Sequence, residues 1–148
     1  YCEILTGKLY TLDELKKIVS NTPNVEHILA QTQHFDPVSL GFNDKEDFID
    51  FEHHLGNLTI LEKSLNSIIL NRNAIDKVEG YGRSLFQMTK KLGSKIDSDK
   101  KFDKSSIQIR TKELSKFCVE KWWSEKSVDI EVVIIQDEEE DDVLQVIN

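Results

Sequence analysis

The sequence holds only two cysteines, two prolines and one methionine in 148 residues. Cys2 and Cys118 form no CxxC pair. That excludes a zinc knuckle and a disulfide-built miniprotein, and it points to a reducing compartment. No run of 18 apolar residues occurs, so no transmembrane helix is expected. No basic-then-apolar leader is present, so no secretory signal is expected either. No GxxxxGK[ST] motif occurs, which leaves no P-loop for a nucleotide. Collagen-like and wholly disordered chains are excluded by an ordinary composition, 39% hydrophobic and 31% charged. The length suits one domain. The first residue is Tyr1 rather than Met, so the chain reads as a fragment or a processed product.

The net charge of −8 hides a division. Residues 1–59 carry 4 basic and 10 acidic side chains, residues 60–126 carry 15 and 9, and residues 127–148 carry none and 8. A basic middle of +6 therefore lies between an acidic front of −6 and an acidic tail of −8. The total alone argues against a nucleic-acid partner; the middle segment argues for one.

Thr11-Leu12-Asp13-Glu14 is a capping box, and Leu12, Leu15, Ile18 and Val19 follow at helical spacing, which predicts a helix over 11–20. Asn21-Thr22-Pro23-Asn24 stops it. Strands are expected at 25–29 and 56–61, with a loop between them from Gln31 to Gly41 and one or two helical turns over 44–54. Helices are expected at 62–70, 73–78, 85–92 and 106–123, with a lysine-rich loop at 93–104. In the last helix, Ile107, Leu114, Phe117, Cys118 and Trp122 form an apolar stripe. Ile130–Ile135 has the composition of an edge strand. Asp137–Asp142 is six consecutive acids, read as a solvated tail, with mimicry of phosphates against the basic middle as the sharper alternative.

The first two strands and the helix after them form a strand–loop–strand–helix unit that gathers chemistry. Glu26 and His27 are neighbours on the first strand, so their side chains point to opposite faces. Asn57 opens the second strand and Asn66 lies within the helix. A carboxylate with an Asn oxygen suits a hard divalent ion. A nearby histidine can deprotonate water for attack on a phosphodiester.

This pattern resembles the HNH (ββα-metal, His-Me finger) nucleases. More closely, the chain resembles the C-terminal nuclease domain of GmrSD-type, modification-dependent (type IV) restriction enzymes. Val25-Glu26-His27-Ile28-Leu29 and the block Gly56-Asn57-Leu58-Thr59-Ile60-Leu61-Glu62-Lys63-Ser64-Leu65-Asn66 carry the resemblance. It extends through Asn71, Lys77, Tyr81, Ser84, Met88–Leu92 and Ile107–Leu114 to Trp122. The resemblance implies that His27 is the general base and that Asn57 holds the hairpin and orients the base. It implies that Glu26 and Asn66 bind Mg²⁺ or Mn²⁺, and that Lys63, Lys77, Arg83 and Arg110 serve DNA. Lys77 and Arg110 have ion pairs within the fold as their alternative role. In that scheme His27 takes a proton from water, and hydrolysis leaves 5′-phosphate and 3′-hydroxyl ends. Two departures stand out. Ala30 occupies a position where the family has Pro, and no nucleotide-dependent sensing domain is encoded, so target choice would reside in a partner or a preceding domain.

Other candidates have plainer readings. His53 and His54, beside Glu52, point apart as helical neighbours, so a shared ion is not expected of them. His34 reads as a solvated loop residue. Trp122 is expected to pack, with base stacking as the alternative for Trp122-Trp123. Lysines 90, 91, 95, 100, 101 and 104 fit a DNA-backbone patch or a solubilising loop equally well.

Taken together, the expected fold is α+β and mainly helical, a ββα-metal core with flanking C-terminal helices. The expected division is a helical lead-in at 1–24, a nuclease domain at 25–123, and a strand-like segment with an acidic tail at 124–148. The expected function is a metal-dependent DNA endonuclease acting in bacterial (antiviral) defence, cytoplasmic and without a membrane. The competing expectation is an inactive HNH-derived DNA-binding or interaction module.

Overall fold

The structure is a computed structural model and describes residues 11–20, 23–32 and 35–122. The expected segment at 124–148, with its strand at 130–135 and its acidic run at 137–142, lies outside these residues, as do Cys2, His34 and Trp123. Among the described residues the fold is α+β and mainly helical, with one two-stranded antiparallel sheet.

Helix α1 spans Leu12–Ser20. The Thr11 hydroxyl accepts from the Glu14 N–H at 3.2 Å, and the Glu14 carboxylate accepts from the Thr11 N–H at 2.9 Å. Two donors that the first helical turn leaves without partners are thereby satisfied. No residue of α1 is buried.

Strand β1 (Pro23–His27) pairs with β2 (Leu58–Glu62), with Glu26 opposite Thr59 and His27 opposite Leu58. The ladder ends two residues before the expected position. Ile28 and Leu29 turn into the core, where both are buried, and their N–H groups donate to the backbone and side-chain oxygens of Asn57. Alternation along each strand gives the sheet two unlike faces. Glu26, Thr59 and Leu61 are buried, whereas Val25 and Ile60, a cross-strand pair, are exposed.

Helix α2 (Lys45–Glu52) is capped by Asp44, whose carboxylate accepts from the Asp47 N–H at 2.8 Å. It buries Phe48 and delivers Glu52 and His53 at its C-terminal end. A 3-10 turn, Leu55–Asn57, leads straight into β2, and β2 runs without a loop into α3 (Lys63–Ile69). Helix α4 (Val78–Gly82) and helix α5 (Gln87–Asp99) pack together on the inner face of the sheet. Helix α5 extends seven residues beyond the expected end at residue 92. Gly93 is not a stop signal there. A Cβ at that position would lie 2.9 Å from the Tyr81 Cβ, so the glycine permits close packing of α4 on α5.

Helix α6 (Lys104–Trp122) buries Ile107, Leu114 and Phe117 and lies against the 3-10 turn that carries Asn57. At Gly56 an added Cβ would lie 2.0 Å from the Ile107 carbonyl oxygen. The Gly56 N–H donates to Thr111 Oγ1 at 2.9 Å, and one Arg110 nitrogen, Nη1, donates to the carbonyls of Leu55, Gly56 and Leu58. Trp122 departs from the packed position expected for it. It touches the Phe117 ring edge-on but remains 68% exposed.

Candidate catalytic and metal centre

The outer end of β1 is where polar side chains with chemical potential converge. The Nε2 atom of His27 lies 3.2 Å from Nδ1 of His53. His53 Nε2 in turn lies 3.4 Å from Glu52 Oε1. That carboxylate oxygen also accepts from Gln31 Nε2 at 2.6 Å. One ligand atom from each of His27, Glu52 and His53 falls within 4.8 Å of the others. His27 and Glu52 are partly buried and His53 is exposed.

Burial, and after it the neighbouring His53, lower the pKa of His27 below its ordinary value of 6.5, against the opposing pull of Glu52 and Glu26. The imidazole is therefore neutral at pH 7 and able to accept a proton.

Asn57 builds the joint beneath the cluster. It is fully buried, and its side chain accepts from the Leu29 N–H at 2.9 Å. The same amide donates to the carbonyls of Leu29 at 3.2 Å and Glu52 at 2.8 Å. One side chain thus ties the exit of β1, which carries His27, to the end of α2, which carries Glu52 and His53. Asn57 acts on the backbone that holds His27, Glu52 and His53.

Glu26 sits elsewhere. Its carboxylate is buried on the inner side of β1, where Oε1 accepts from Lys77 Nζ at 2.6 Å and from Tyr81 Oη at 3.1 Å. Glu26 is expected to share one ion with Asn66; in the structure its carboxylate accepts from Lys77 and Tyr81. That carboxylate is committed to a buried ion pair, on the face of the strand opposite His27. Asn66 is half-buried on α3. Lys77 is likewise removed from the DNA-contacting set: it is 1% exposed, and its ammonium also donates to the carbonyls of His27 at 2.7 Å and Ile28 at 3.2 Å. Of the two expected roles of Lys77, the ion pair within the fold is the one present. Burial lowers the Lys77 pKa, with Glu26 opposing, and burial raises that of Tyr81, which stays a donor. Arg110 is half-buried over the turn before β2 and holds carbonyls there, whereas Lys63 and Arg83 are exposed.

Much of the block that carried the resemblance proves to be interior polar structure. Thr59 and Thr89 share a hydrogen bond of 2.8 Å. Glu62 is buried and accepts from the Ser84 hydroxyl at 2.9 Å and the Leu85 N–H at 2.6 Å, pinning the turn between α4 and α5 to β2. In the lysine patch, Lys100 pairs with Asp97, Lys101 with Asp103 and Lys104 with Asp47, which reduces the positive field expected there.

Glu52 and His53 are not legible in sequence as part of a cluster, because nothing within α2 completes it. His54 turns away and stacks on Phe51, with ring centroids 4.4 Å apart. The missing partner of His53 is His27, from another element.

The family model for the C-terminal domain of GmrSD restriction endonucleases matches residues 1–117. The chain belongs to that family. No curated protein and no solved structure matches it. Membership makes this GmrSD C-terminal domain the nuclease domain of a restriction endonuclease. Among the described residues no helix is long and apolar enough to cross a membrane.

A nuclease of this family implies a divalent ion. The group that fits one is His27, Glu52 and His53. Two imidazoles and a carboxylate are a mixed nitrogen and oxygen donor set, whereas Mg²⁺ prefers oxygen throughout.

Proposed function

We propose that this GmrSD C-terminal domain is a metal-dependent DNA endonuclease of the HNH type, working at the outer end of β1 with His27 as general base. The observation that carries this reading is the placement of His27, partly buried at the end of β1 with Nε2 3.2 Å from His53 and within reach of Glu52. A neutral imidazole takes a proton from water as the water attacks phosphorus in line. The products then carry 5′-phosphate and 3′-hydroxyl ends. A divalent ion, when bound, supplies compensation for charge on the phosphate oxygens. Exposed Lys63 and Arg83 are the basic residues assigned to phosphate contacts. Foreign or modified DNA as target, a separate nucleotide-dependent sensing domain and a cytoplasmic site of action belong to the same reading and rest on the family resemblance.

A second reading of His27 is favoured by the compactness of the donor set. In it, His27 joins Glu52 and His53 as a ligand and gives up the role of base.

Supercoiled plasmid incubated with the purified chain in Mg²⁺ or Mn²⁺, beside EDTA, tests the activity. Metal-dependent nicking supports the endonuclease, and intact plasmid with both ions counts against it. Calorimetric titration of Mn²⁺ into His27→Ala separates the two readings of His27. Ligation by His27 lowers the affinity roughly tenfold or more on its removal, and a base-only role of His27 leaves it unchanged.

A further inference from the structure

We propose that Lys77 is a positioning residue for His27, acting from the opposite face of β1. This rests on the reading that His27 is the reactive histidine, whether base or ligand. An ammonium has three donors, and all three of Lys77 are directed at one short stretch of β1 and its exit: the Glu26 carboxylate, the His27 carbonyl and the Ile28 carbonyl. Lys77 closes a 3-10 turn, Ile75–Lys77, fifty residues along the chain from His27. It therefore ties a separate element to the residue whose side chain must be aimed.

Geometry explains why a carbonyl contact governs a ring on the other face. The direction of an imidazole follows from its own backbone angles and rotamer. At His27 the backbone is held on both sides. Asn57 takes the N–H groups of Ile28 and Leu29. Lys77 takes the carbonyls of His27 and Ile28. Release of the second set lets the peptide after His27 rotate and the ring swing away from His53.

The choice of residues supports a role beyond cohesion. Burying an ammonium and a carboxylate is costly, and apolar residues of similar volume stabilise a core at least as well. Tyr81 adds a third polar group, donating to the same Glu26 oxygen that Lys77 meets. The triad is built to keep the ammonium in one place. Glu26 thereby serves as the counter-ion of Lys77.

The test is Glu26→Leu/Lys77→Met, which removes both buried charges together and leaves neither uncompensated. Plasmid-nicking kinetics and circular dichroism are measured beside the parent chain and His27→Ala. The expected result is a folded protein whose kcat falls roughly 10- to 100-fold with KM unchanged, because the reacting group is displaced while DNA contacts remain. A folded double variant with the parent kcat overturns the proposal. So does a rise in KM alone. Should the double variant fail to fold, Lys77→Arg takes its place under the same criteria, since a planar guanidinium cannot put one nitrogen on both carbonyls and the carboxylate. A readout free of turnover is the nuclear Overhauser contact between the His27 and His53 rings, whose centroids are 5.2 Å apart. It is expected to vanish in the folded variant, and its persistence also overturns the proposal. Nicking that survives His27→Ala refutes the underlying reading of His27, a result distinct from either of these.

Discussion

His27 Nε2 and His53 Nδ1 lie 3.2 Å apart, so a charge on His53 opposes protonation of His27. Two cationic rings at that distance repel, and His53 is the second cause, after burial, of the lowered His27 pKa. The acid limb of the pH–rate profile for nicking is therefore expected below pH 6.5, the ordinary value for histidine. In His53→Ala the limb moves up towards that value. The sign for stability follows from the same shift. The unfolded chain binds the proton more readily than the folded one, so stability is full above about pH 6.5 and declines as the pH falls below it. A limb at or above pH 6.5 in the parent chain contradicts this.

Asn57 spends its whole amide on backbone at the joint between β1 and α2. Asn57→Ala is expected to lower stability by about 3 kcal/mol, from lost hydrogen bonds and buried groups left unpaired. Asn57→Asp is expected to be worse, because a carboxylate oxygen replaces the donor facing the Leu29 and Glu52 carbonyls. Urea denaturation of both variants ranks them. A stable Asn57→Asp contradicts the assignment of the amide.

Gly56 is where α6 touches the turn ahead of β2. Gly56→Ala places a methyl 2.0 Å from the Ile107 carbonyl and 2.5 Å from Thr111 Oγ1, so the helix must shift. A loss of roughly 1–3 kcal/mol is expected. Thr111→Ser does not rescue it, because the nearer obstacle is backbone. Thermal unfolding of the single and double variants measures both statements.

Lys63 and Arg83 are exposed, whereas Lys77 and Arg110 are occupied with carbonyls of the fold. Lys63→Ala and Arg83→Ala are each expected to weaken DNA binding without sequence preference. Each is expected to reduce the slope of log affinity against log salt by about one. Fluorescence anisotropy across a salt series reads the slope. An unchanged slope in both variants removes them from the DNA surface.

Sequence signals are legible where the physics is local. The capping box at Thr11 and Glu14 and the direct passage from β2 into α3 depend on neighbours in the chain. The placement of Glu26 and His27 on opposite faces follows from strand alternation alone. What that alternation meant was hidden, because Lys77 and Tyr81 reach Glu26 across more than fifty residues. The run from Gly93 reads as a loop because its polar, lysine-rich composition is visible in sequence and the packing of Gly93 on Tyr81 is not. Glu52 and His53 were set aside for the same reason, since their third member comes from β1. Polar residues of the Gly56–Asn66 block looked functional as a group. Burial divides them into those that hold the hairpin, Asn57, Thr59 and Glu62, and those left at the surface.

The central claim is that the two faces of β1 divide the labour, His27 reacting and Glu26 holding. The measurement that tests it most directly is the plasmid-nicking rate of His27→Ala beside Glu26→Gln, each shown to be folded by circular dichroism. Glu26→Gln keeps an oxygen for Lys77 and Tyr81 and removes the carboxylate charge. The expected result is loss of nicking in His27→Ala and only a partial fall in rate, no more than roughly 100-fold, in Glu26→Gln, where the reacting group remains and the counter-ion of Lys77 is lost. Equal loss in both folded variants would contradict the division and return Glu26 to the metal.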